Sequence, residues 1–295
     1  MLSLTRYAWL SVFAALLTLA LKSAGSLVSH SVGLFTDALE SLVNLGAALM
    51  ALAVLRWAAQ PPDEEHAFGH DKMEYVSSGV EGGLILMASA GMLASGVDRL
   101  LHPQPLQQLS LGLGLCLLAS VVNGLVAWVL GRAGREHRSI ALQADSRHLM
   151  SDVYSSLGVL VGVGFVSLTG RSWLDPAVAL AVGLWVGYTG ISLVVASIRG
   201  VLDPSLPPED LARIEAVLNQ YRERGLDFHA LRSRQAGRSS FVQLHVLVPG
   251  GWTVSRGHDL LEELEAKLRE ALPGVKLHTH LEPLEDPCSF ADVDL

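Results

Sequence analysis

Two long apolar segments carry polar side chains at the same spacing. The first reads Asp37-Ala-Leu-Glu40-Ser-Leu-Val-Asn44, and the second reads Asp145-Ser-Arg-His148-Leu-Met-Ser-Asp152. In a helix, positions i, i+3 and i+7 lie on one face, so each segment would present a polar stripe. Within these stripes Glu40 and Asn44 are one turn apart, as are His148 and Asp152. If the two helices faced each other, these four side chains would offer two carboxylates, one imidazole and one amide carbonyl. This mixed set of oxygen and nitrogen donors is typical of a divalent transition-metal site.

An isolated polar residue in a membrane helix commonly does no more than hydrogen-bond to a neighbouring helix. That alternative is the better explanation for Asn44 taken alone, whereas the paired pattern favours metal ligands. A carboxylate at the centre of a bilayer costs at least about 2.5–3.5 kcal/mol, which also indicates a function. Asp37 and Asp145 either support the ligands and line the route by which metal enters, or lie near the helix ends and are solvated.

The loop after the first segment contains a second cluster, Asp63, His66 and His70. Two histidines four residues apart, with an aspartate three residues before the first, form a reasonable ligand set. A solvated polar loop is an equally good interpretation of the spacing.

The last 93 residues contain five more histidines, at positions His229, His245, His258, His278 and His280. Glu282 follows His280 by two residues, so both would lie on one face of a predicted strand. Any one of these histidines is better explained as a surface residue, but their density favours metal binding.

The elements that must position these residues differ between the two parts of the chain. Half of the 295 residues are apolar, only 17% are charged, and the mean hydropathy is +0.39. The first 202 residues carry 24 charged side chains, and the last 93 carry 26. This distribution predicts a membrane domain followed by a soluble one and excludes a disordered chain. The net charge of −8 argues against nucleic acid as a partner, because phosphate binding needs a basic face.

Six apolar stretches are long enough to cross a bilayer, which needs about 20 residues per helix. We place them at about Tyr7–Val28, Val32–Trp57, Val76–Leu101, Leu109–Leu130, Ile140–Leu168 and Trp173–Arg199. Most of the basic residues that flank these spans fall on one side, at Arg6, Arg56, Lys72, Arg132, Arg135, Arg138 and Arg199. The positive-inside rule therefore places both termini in the cytoplasm.

The proline-rich segment Leu202–Pro208 ends the last membrane helix. We therefore expect a six-helix transmembrane domain over 1–202, a linker over 203–208 and a cytoplasmic domain over 209–295. In the last of these, the pattern predicts helices at Glu209–Arg224 and Ser255–Ala271 and strands at Phe228–Arg234, Ser239–Val248 and Val275–Leu281. The α-β-β-α-β order indicates a small α+β sandwich.

The sequence resembles the cation diffusion facilitator family of metal/proton antiporters over nearly its whole length. The resemblance rests on Glu40-Ser-Leu-Val-Asn44, His66-Ala-Phe-Gly-His70-Asp-Lys72, His148-Leu-Met-Ser-Asp152, Arg232-Ser-Arg-Gln-Ala-Gly237, Val242-Gln-Leu-His245 and His280-Leu-Glu-Pro283. It implies a homodimer, not an enzyme, with a metallochaperone-like αββαβ domain after the six spans. The implied activity is efflux of a divalent metal in exchange for protons by alternating access.

The resemblance also implies roles for individual residues. Glu40, Asn44, His148 and Asp152 would form the transport site, and Asp63, His66 and His70 a loop site. His229, His245, His280 and Glu282 would bind metal at the dimer interface, with His258 as a further ligand. Lys72 would form a charge interlock with Asp203, although Lys72 can also be interpreted as an ordinary positive-inside anchor.

The residues leave the identity of the metal open. Zinc-transporting members of the family commonly place aspartate or histidine at the two second-span positions, where this chain has Glu40 and Asn44. The amide favours manganese or iron, but His148 favours zinc, and zinc is slightly ahead. Many eukaryotic zinc-transporting members of the family carry a long histidine-rich insertion in the loop that corresponds to 131–139. This chain has only a short loop there, which favours a prokaryotic inner (plasma) membrane protein.

Two alternatives from other classes are an intramembrane metallohydrolase and a non-transporting metal sensor. The first would need a positioned general base, and the sequence contains no HExxH motif. The second would leave Glu40 and Asp152 unexplained.

Overall fold

The computed structural model describes residues 2–29, 32–102, 110–171 and 173–291. Side chains are described throughout these ranges except at 2–3, 25–26, 28–29, 32–40, 43, 110–113, 116, 159–160, 162–164, 166–167 and 175. The side chains of Asp37 and Glu40 therefore lie outside the described residues. The chain divides into two compact units, Met1–Ile198 and Arg199–Leu295.

Within the described ranges, six long helices form the first unit. They are α1 (Leu2–Ser29), α2 (Val32–Ala58), α3 (Met73–Leu101), α4 (Ser110–Glu136), α5 (Ile140–Thr169) and α6 (Leu174–Val201). Among the described residues, α1, α3, α4 and α6 each contain a stretch long and apolar enough to cross a membrane. The apolar part of α2 is shorter, Asn44–Ala58, and α5 carries Asp145, Arg147 and Asp152 in its first half. The predicted multi-pass helical domain is confirmed.

Four of these helices share one apolar core. Buried alanine, valine and leucine side chains of α1, α2, α4 and α5 pack together, at Leu4, Ala8, Val12, Ala14, Ala15, Ala48, Leu52, Leu55, Val126, Ala127, Leu130, Ala133, Ala141, Leu142 and Leu149. The many alanines let the helices approach closely, which is how membrane helices gain packing energy without a hydrophobic driving force. This four-helix bundle is the scaffold of the intramembrane polar residues.

The α3 and α6 helices pack against each other through small residues. An added Cβ at Gly82 would lie 3.2 Å from the carbonyl oxygen of Gly190, so the two backbones are almost in contact there. The Ser89 hydroxyl donates to the Gly183 carbonyl at 2.9 Å, which links the same pair of helices. Ile85 of α3 also packs with Ala144 of α5.

The second unit is a three-stranded sheet with two helices. Its elements are α7 (Pro208–Arg222), β1 (Asp227–Ala236), β2 (Ser239–Val248), α8 (Val254–Ala271), β3 (Lys276–Pro283) and a short 3₁₀ helix, Pro287–Phe290. The strands lie in the order β1-β2-β3, with β1 antiparallel and β3 parallel to β2. The predicted αββαβ order and α+β class are confirmed.

The hydrophobic pattern of the two amphipathic helices explains this arrangement. Leu264 and Leu268 of α8 are fully buried with Ile214 and Leu218 of α7 in a core that includes Leu244 of the central strand. The parallel pairing of β2 with β3 requires a crossover, and α8 is that crossover. Gly237 takes a φ of 55° in the two-residue turn between β1 and β2, a geometry that such hairpins need.

The segment predicted as a linker is hydrogen-bonded to the first strand. The Gln235 amide donates to the Pro204 carbonyl at 2.8 Å, and the Leu206 amide donates to the Ser233 hydroxyl at 3.2 Å. Residues 203–208 thus extend the second unit along β1.

Candidate metal sites

Polar side chains from three helices meet inside the four-helix bundle. The Nε2 of His148 lies 2.9 Å from the Oδ1 of Asn44, and the Nδ2 of Asn44 donates to the Oδ2 of Asp152 at 2.5 Å. Asn123 of α4 donates its Nδ2 to the same Asp152 oxygen at 3.3 Å. All four residues are buried. The structure thus brings together three of the four residues predicted for the transport site.

The spacing along α5 explains this convergence. His148 and Asp152 are one turn apart, so both side chains project from the same face toward α2. Glu40 lies one turn before Asn44 on α2, but its side chain is outside the described residues. A buried carboxylate in an apolar bundle needs hydrogen bonds or a cation, and here two amides supply donors to Asp152. The same imidazole, carboxylate and amide groups offer lone pairs to a divalent cation.

Asn123 was not predicted from the sequence as a site residue. The signal was present, because Asn123 is an amide within the apolar run Val121-Val122-Asn123-Gly124. A single asparagine in a membrane helix is usually explained by packing, so the pattern alone could not assign it to a site.

A pair of buried carboxyl groups lies between α3 and α5. Glu81 of α3 and Asp145 of α5 are 1% and 2% exposed. The Ser77 hydroxyl donates to Glu81 at 3.2 Å. Asp145 is therefore buried rather than solvated, and its supporting role stays a prediction. Glu81 was not predicted, although a glutamate within a 29-residue apolar helix is a recognisable signal.

The loop residues Asp63, His66 and His70 form a compact cluster. One Asp63 oxygen lies 3.3 Å from His66 Nδ1, and the other lies 3.3 Å from His70 Nε2. The His66 and His70 rings are 4.4 Å apart. One ligand atom from each residue lies within 4.8 Å of the others, a spacing compatible with one shared ion.

Backbone hydrogen bonds position the carboxylate of this loop cluster. Asp63 Oδ1 accepts the amide of His66 at 2.7 Å and that of Glu65 at 3.1 Å. The hydrogen bond from the His66 backbone is the main reason why the pKa of Asp63 is lowered, because it stabilises the ionised form. Gly69 takes a φ of 91°, which allows the chain to turn so that His70 folds back over Asp63.

Strand pairing aligns three histidines across the sheet of the second unit. His229 is opposite His245 in the antiparallel pair, and His245 is opposite His280 in the parallel pair. A bulge in β1 follows His229, and Ala230 within it has a φ of 49°. Because of the bulge, the rest of β1 pairs in a different register from His229, so sequence spacing alone did not predict the alignment.

Glu282 joins the three aligned histidines. Its carboxylate lies 2.7 Å from His229 Nε2, 3.2 Å from His245 Nδ1 and 3.4 Å from His280 Nε2. His229, His245 and Glu282 offer ligand atoms within 4.8 Å of one another. His229 and His245 are largely buried, whereas His280 is 65% exposed at its side chain. The exposed imidazole leaves the cluster open on one side.

Two other predicted residues lie apart from these clusters. His258 is exposed on α8. Among the described residues, it is not one of the three histidines that lie within 3.4 Å of the Glu282 carboxylate. The proposed interlock partners belong to different units, Lys72 to the first and Asp203 to the second. The Asp203 carboxylate lies 3.4 Å from the Arg234 guanidinium within its own unit. The pairing of Lys72 with Asp203 stays a prediction.

A bundle of apolar helices with a buried polar cluster, followed by a small α+β unit, defines a multi-pass membrane protein of the transporter type. Comparison with known proteins identifies the family. Residues 8–202 match the cation efflux transmembrane domain, and residues 206–284 match the cytoplasmic domain of cation efflux proteins. The chain therefore belongs to the cation diffusion facilitator family of cation efflux proteins.

Two relatives that match most of the chain agree with this assignment, and a solved structure is similar to part of it. An uncharacterized transporter, sll1263 of Synechocystis, is 51% identical over 288 residues, which is 98% of this chain and 93% of the relative. The cation-efflux pump FieF of Pectobacterium atrosepticum is 31% identical over 259 residues, which is 86% of this chain and 84% of FieF. A solved structure of CzrB, a protein studied as a zinc transporter, is 45% identical over 26% of this chain and 96% of that structure, with a TM-score of 0.25.

Proposed function

We propose that this protein exports a divalent transition metal across a prokaryotic inner (plasma) membrane in exchange for protons. The observation that carries the proposal is the meeting of Asn44, His148 and Asp152 inside the helical bundle. Glu40 on α2 supplies the fourth donor of this transport site. Carboxylate and imidazole groups are costly to bury in a membrane, so their convergence favours a cation pathway.

Exchange for protons follows from the chemistry of the ligands. A metal ion binds the deprotonated imidazole and carboxylate, so loading the site releases protons and protonating it releases the metal. If the site opens alternately to the two sides of the membrane, a proton gradient drives metal outward. Asp145 and Asp37 support the ligands or line the route of the metal.

The two outer clusters act on the same cargo. Asp63, His66 and His70 bind metal in the loop between α2 and α3. His229, His245, His280 and Glu282 bind metal in the cytoplasmic domain and strengthen a homodimer when the cytoplasmic concentration rises. The exposed side of His280 is the position from which a second copy would complete the coordination.

The proposed topology follows the charge distribution. Both termini lie in the cytoplasm, with a transport domain over 1–202, a linker over 203–208 and a metal-binding dimerisation domain over 209–295. Zn²⁺ is slightly favoured as cargo because of His148, and Mn²⁺ or Fe²⁺ is the alternative because the other donors are oxygens.

Transport in proteoliposomes tests this function. Purified protein with a proton gradient should move Zn²⁺ or Mn²⁺, and Asp152→Ala should reduce the flux at least about tenfold because it removes an anionic ligand. Asp98→Ala is the matched control, since Asp98 is an exposed carboxylate near the end of α3. Undiminished flux in Asp152→Ala would refute the transport site. Hydrolysis of a membrane peptide or lipid would support the metallohydrolase, and metal binding without flux would support the sensor.

A further inference from the structure

The amide of Asn123 occupies an unusual position inside the bundle. The residue is 2% exposed on α4, and its Nδ2 donates to Asp152 Oδ2 at 3.3 Å. Its Oδ1 is buried and has no hydrogen-bond partner within the described part of the chain. Buried polar atoms are nearly always hydrogen-bonded, so a carbonyl oxygen without a donor beside a polar cluster points to a ligand.

Asp152 explains the present orientation of this amide. Its Oδ2 also accepts the Nδ2 of Asn44 at 2.5 Å, so both amides turn their donors toward one carboxylate oxygen. An asparagine amide exchanges its oxygen and nitrogen by rotation about χ2, a torsion with a broad energy profile. A cation bound to Asp152 would repel the amide N–H groups and attract the carbonyl oxygens. Asn123 can therefore offer a donor to the free carboxylate and an acceptor to a bound cation.

We infer that Asn123 is a further ligand of the transport site and raises the affinity of that site for Mn²⁺ or Fe²⁺ relative to Zn²⁺, the cargo that His148 favours. The inference rests on the proposed function, because it assigns Asn123 to the same site as Asn44, His148 and Asp152. Together with these three residues, Asn123 gives the described part of the site four donors, of which three are oxygens. Zinc sites are usually four-coordinate, whereas carbonyl and carboxylate ligands suit manganese and higher coordination.

Substitutions at position 123 distinguish a ligand from a residue that only positions Asp152. Asn123→Leu removes both the donor and the acceptor at similar volume, and we expect about a tenfold loss of Mn²⁺ affinity with less than a threefold change for Zn²⁺. Asn123→Asp keeps oxygen donors but removes the N–H that Asp152 accepts. A ligand role predicts that Asn123→Asp retains or strengthens Mn²⁺ binding, whereas a positioning role predicts that it weakens binding of both metals.

The experiment measures equilibrium binding of Mn²⁺ and Zn²⁺ to the full chain in detergent, and flux of both metals in proteoliposomes. Ser146→Ala is the control for disturbed packing of α4 on α5, since the Ser146 hydroxyl donates to the Ala127 carbonyl at 2.7 Å. Asp152→Ala identifies which of the bound metal ions occupies the transport site.

The outcomes separate this inference from the proposed function. Equal losses for both metals in Asn123→Leu, or no change in either, would overturn the role of Asn123 as a selective ligand. If Asn123→Leu selectively loses Mn²⁺ binding but the wild-type protein transports neither metal, Asn123 is a ligand and the export function is refuted. Selective loss of both Mn²⁺ binding and Mn²⁺ flux supports both.

Discussion

The contact between α3 and α6 provides a sensitive test of how closely these helices pack. A Cβ added at Gly82 would lie 2.8 Å from Val194 Cγ2, 3.1 Å from the Val194 backbone nitrogen and 3.2 Å from the Gly190 carbonyl oxygen. Favourable contacts between heavy atoms lie at about 3.5–4.0 Å. Two of the three atoms belong to the α6 backbone, so the clash cannot be relieved by a side-chain rotation alone.

We expect Gly82→Ala to separate the two helices by several tenths of an ångström. Overpacking of this kind costs about 1–3 kcal/mol, and the better helix propensity of alanine offsets about 1 kcal/mol of it. The net effect is a loss of roughly 0–2 kcal/mol in the free energy of unfolding. Gly83→Ala is the matched control, because a Cβ at Gly83 meets no atom within 4 Å. That variant should gain about 0.5–1 kcal/mol.

The assay is reversible unfolding of the full chain in mixed detergent micelles, followed by far-UV circular dichroism. The quantity of interest is the difference between the two variants, which we expect to be about 1–3 kcal/mol with Gly82→Ala the less stable. Equal stability of the two variants, or a more stable Gly82→Ala, would show that α3 and α6 are not packed at this distance.

Two further substitutions and one change of pH test other parts of the chain. Glu282→Gln should weaken metal binding by the second unit about 10–100-fold, seen as a smaller metal-induced increase in melting temperature. Glu74→Ala should destabilise the chain by about 1.5–3 kcal/mol in detergent unfolding, because the Glu74 carboxylate accepts the Ser139 hydroxyl at 2.6 Å where α5 begins. Because the pKa of Asp63 is lowered below 3.8, its carboxylate should keep the loop ordered at mildly acid pH. This contribution should be lost only as the pH falls through the lowered pKa, and hydrogen exchange of the His66 amide measures the loss.

Each of these tests has a control within the chain. Glu270→Gln changes an exposed glutamate of α8 that lies beside Lys267, and it should leave metal binding unchanged. Glu65→Ala removes an exposed carboxylate near α3 and should have little effect on unfolding. Asp63→Asn should give exchange of the His66 amide that does not vary with acid pH beyond its intrinsic dependence. If a control variant changes metal binding, unfolding or amide exchange as much as the change it controls for, the role assigned to the tested residue is wrong.

Much of the architecture could be predicted from the chain alone, because it depends on local patterns. Long apolar runs must become helices in a membrane, where every backbone polar group needs an internal partner. The short run rich in valine, leucine and phenylalanine at Ser239–Val248 and the leucine stripe of Ser255–Ala271 likewise favour a strand and a helix. For this reason the αββαβ order agrees with the structure to within a few residues at each element end.

The candidate sites were only partly predictable. Within one helix, the spacing of His148 and Asp152 shows that they share a face, because the period of the helix is known. Which residues lie opposite that face depends on the arrangement of several helices, so only the folded bundle shows that Asn123 contacts Asp152.

The contrast is clearest in the second unit. The sequence by itself determined that His229, His245 and His280 lie in strands, since strand formation follows from alternation and β-propensity. Only the tertiary structure decided that they form one row with Glu282 beside them. Strand register depends on pairing between distant segments and on the bulge after His229, and neither is encoded in the spacing of any single segment.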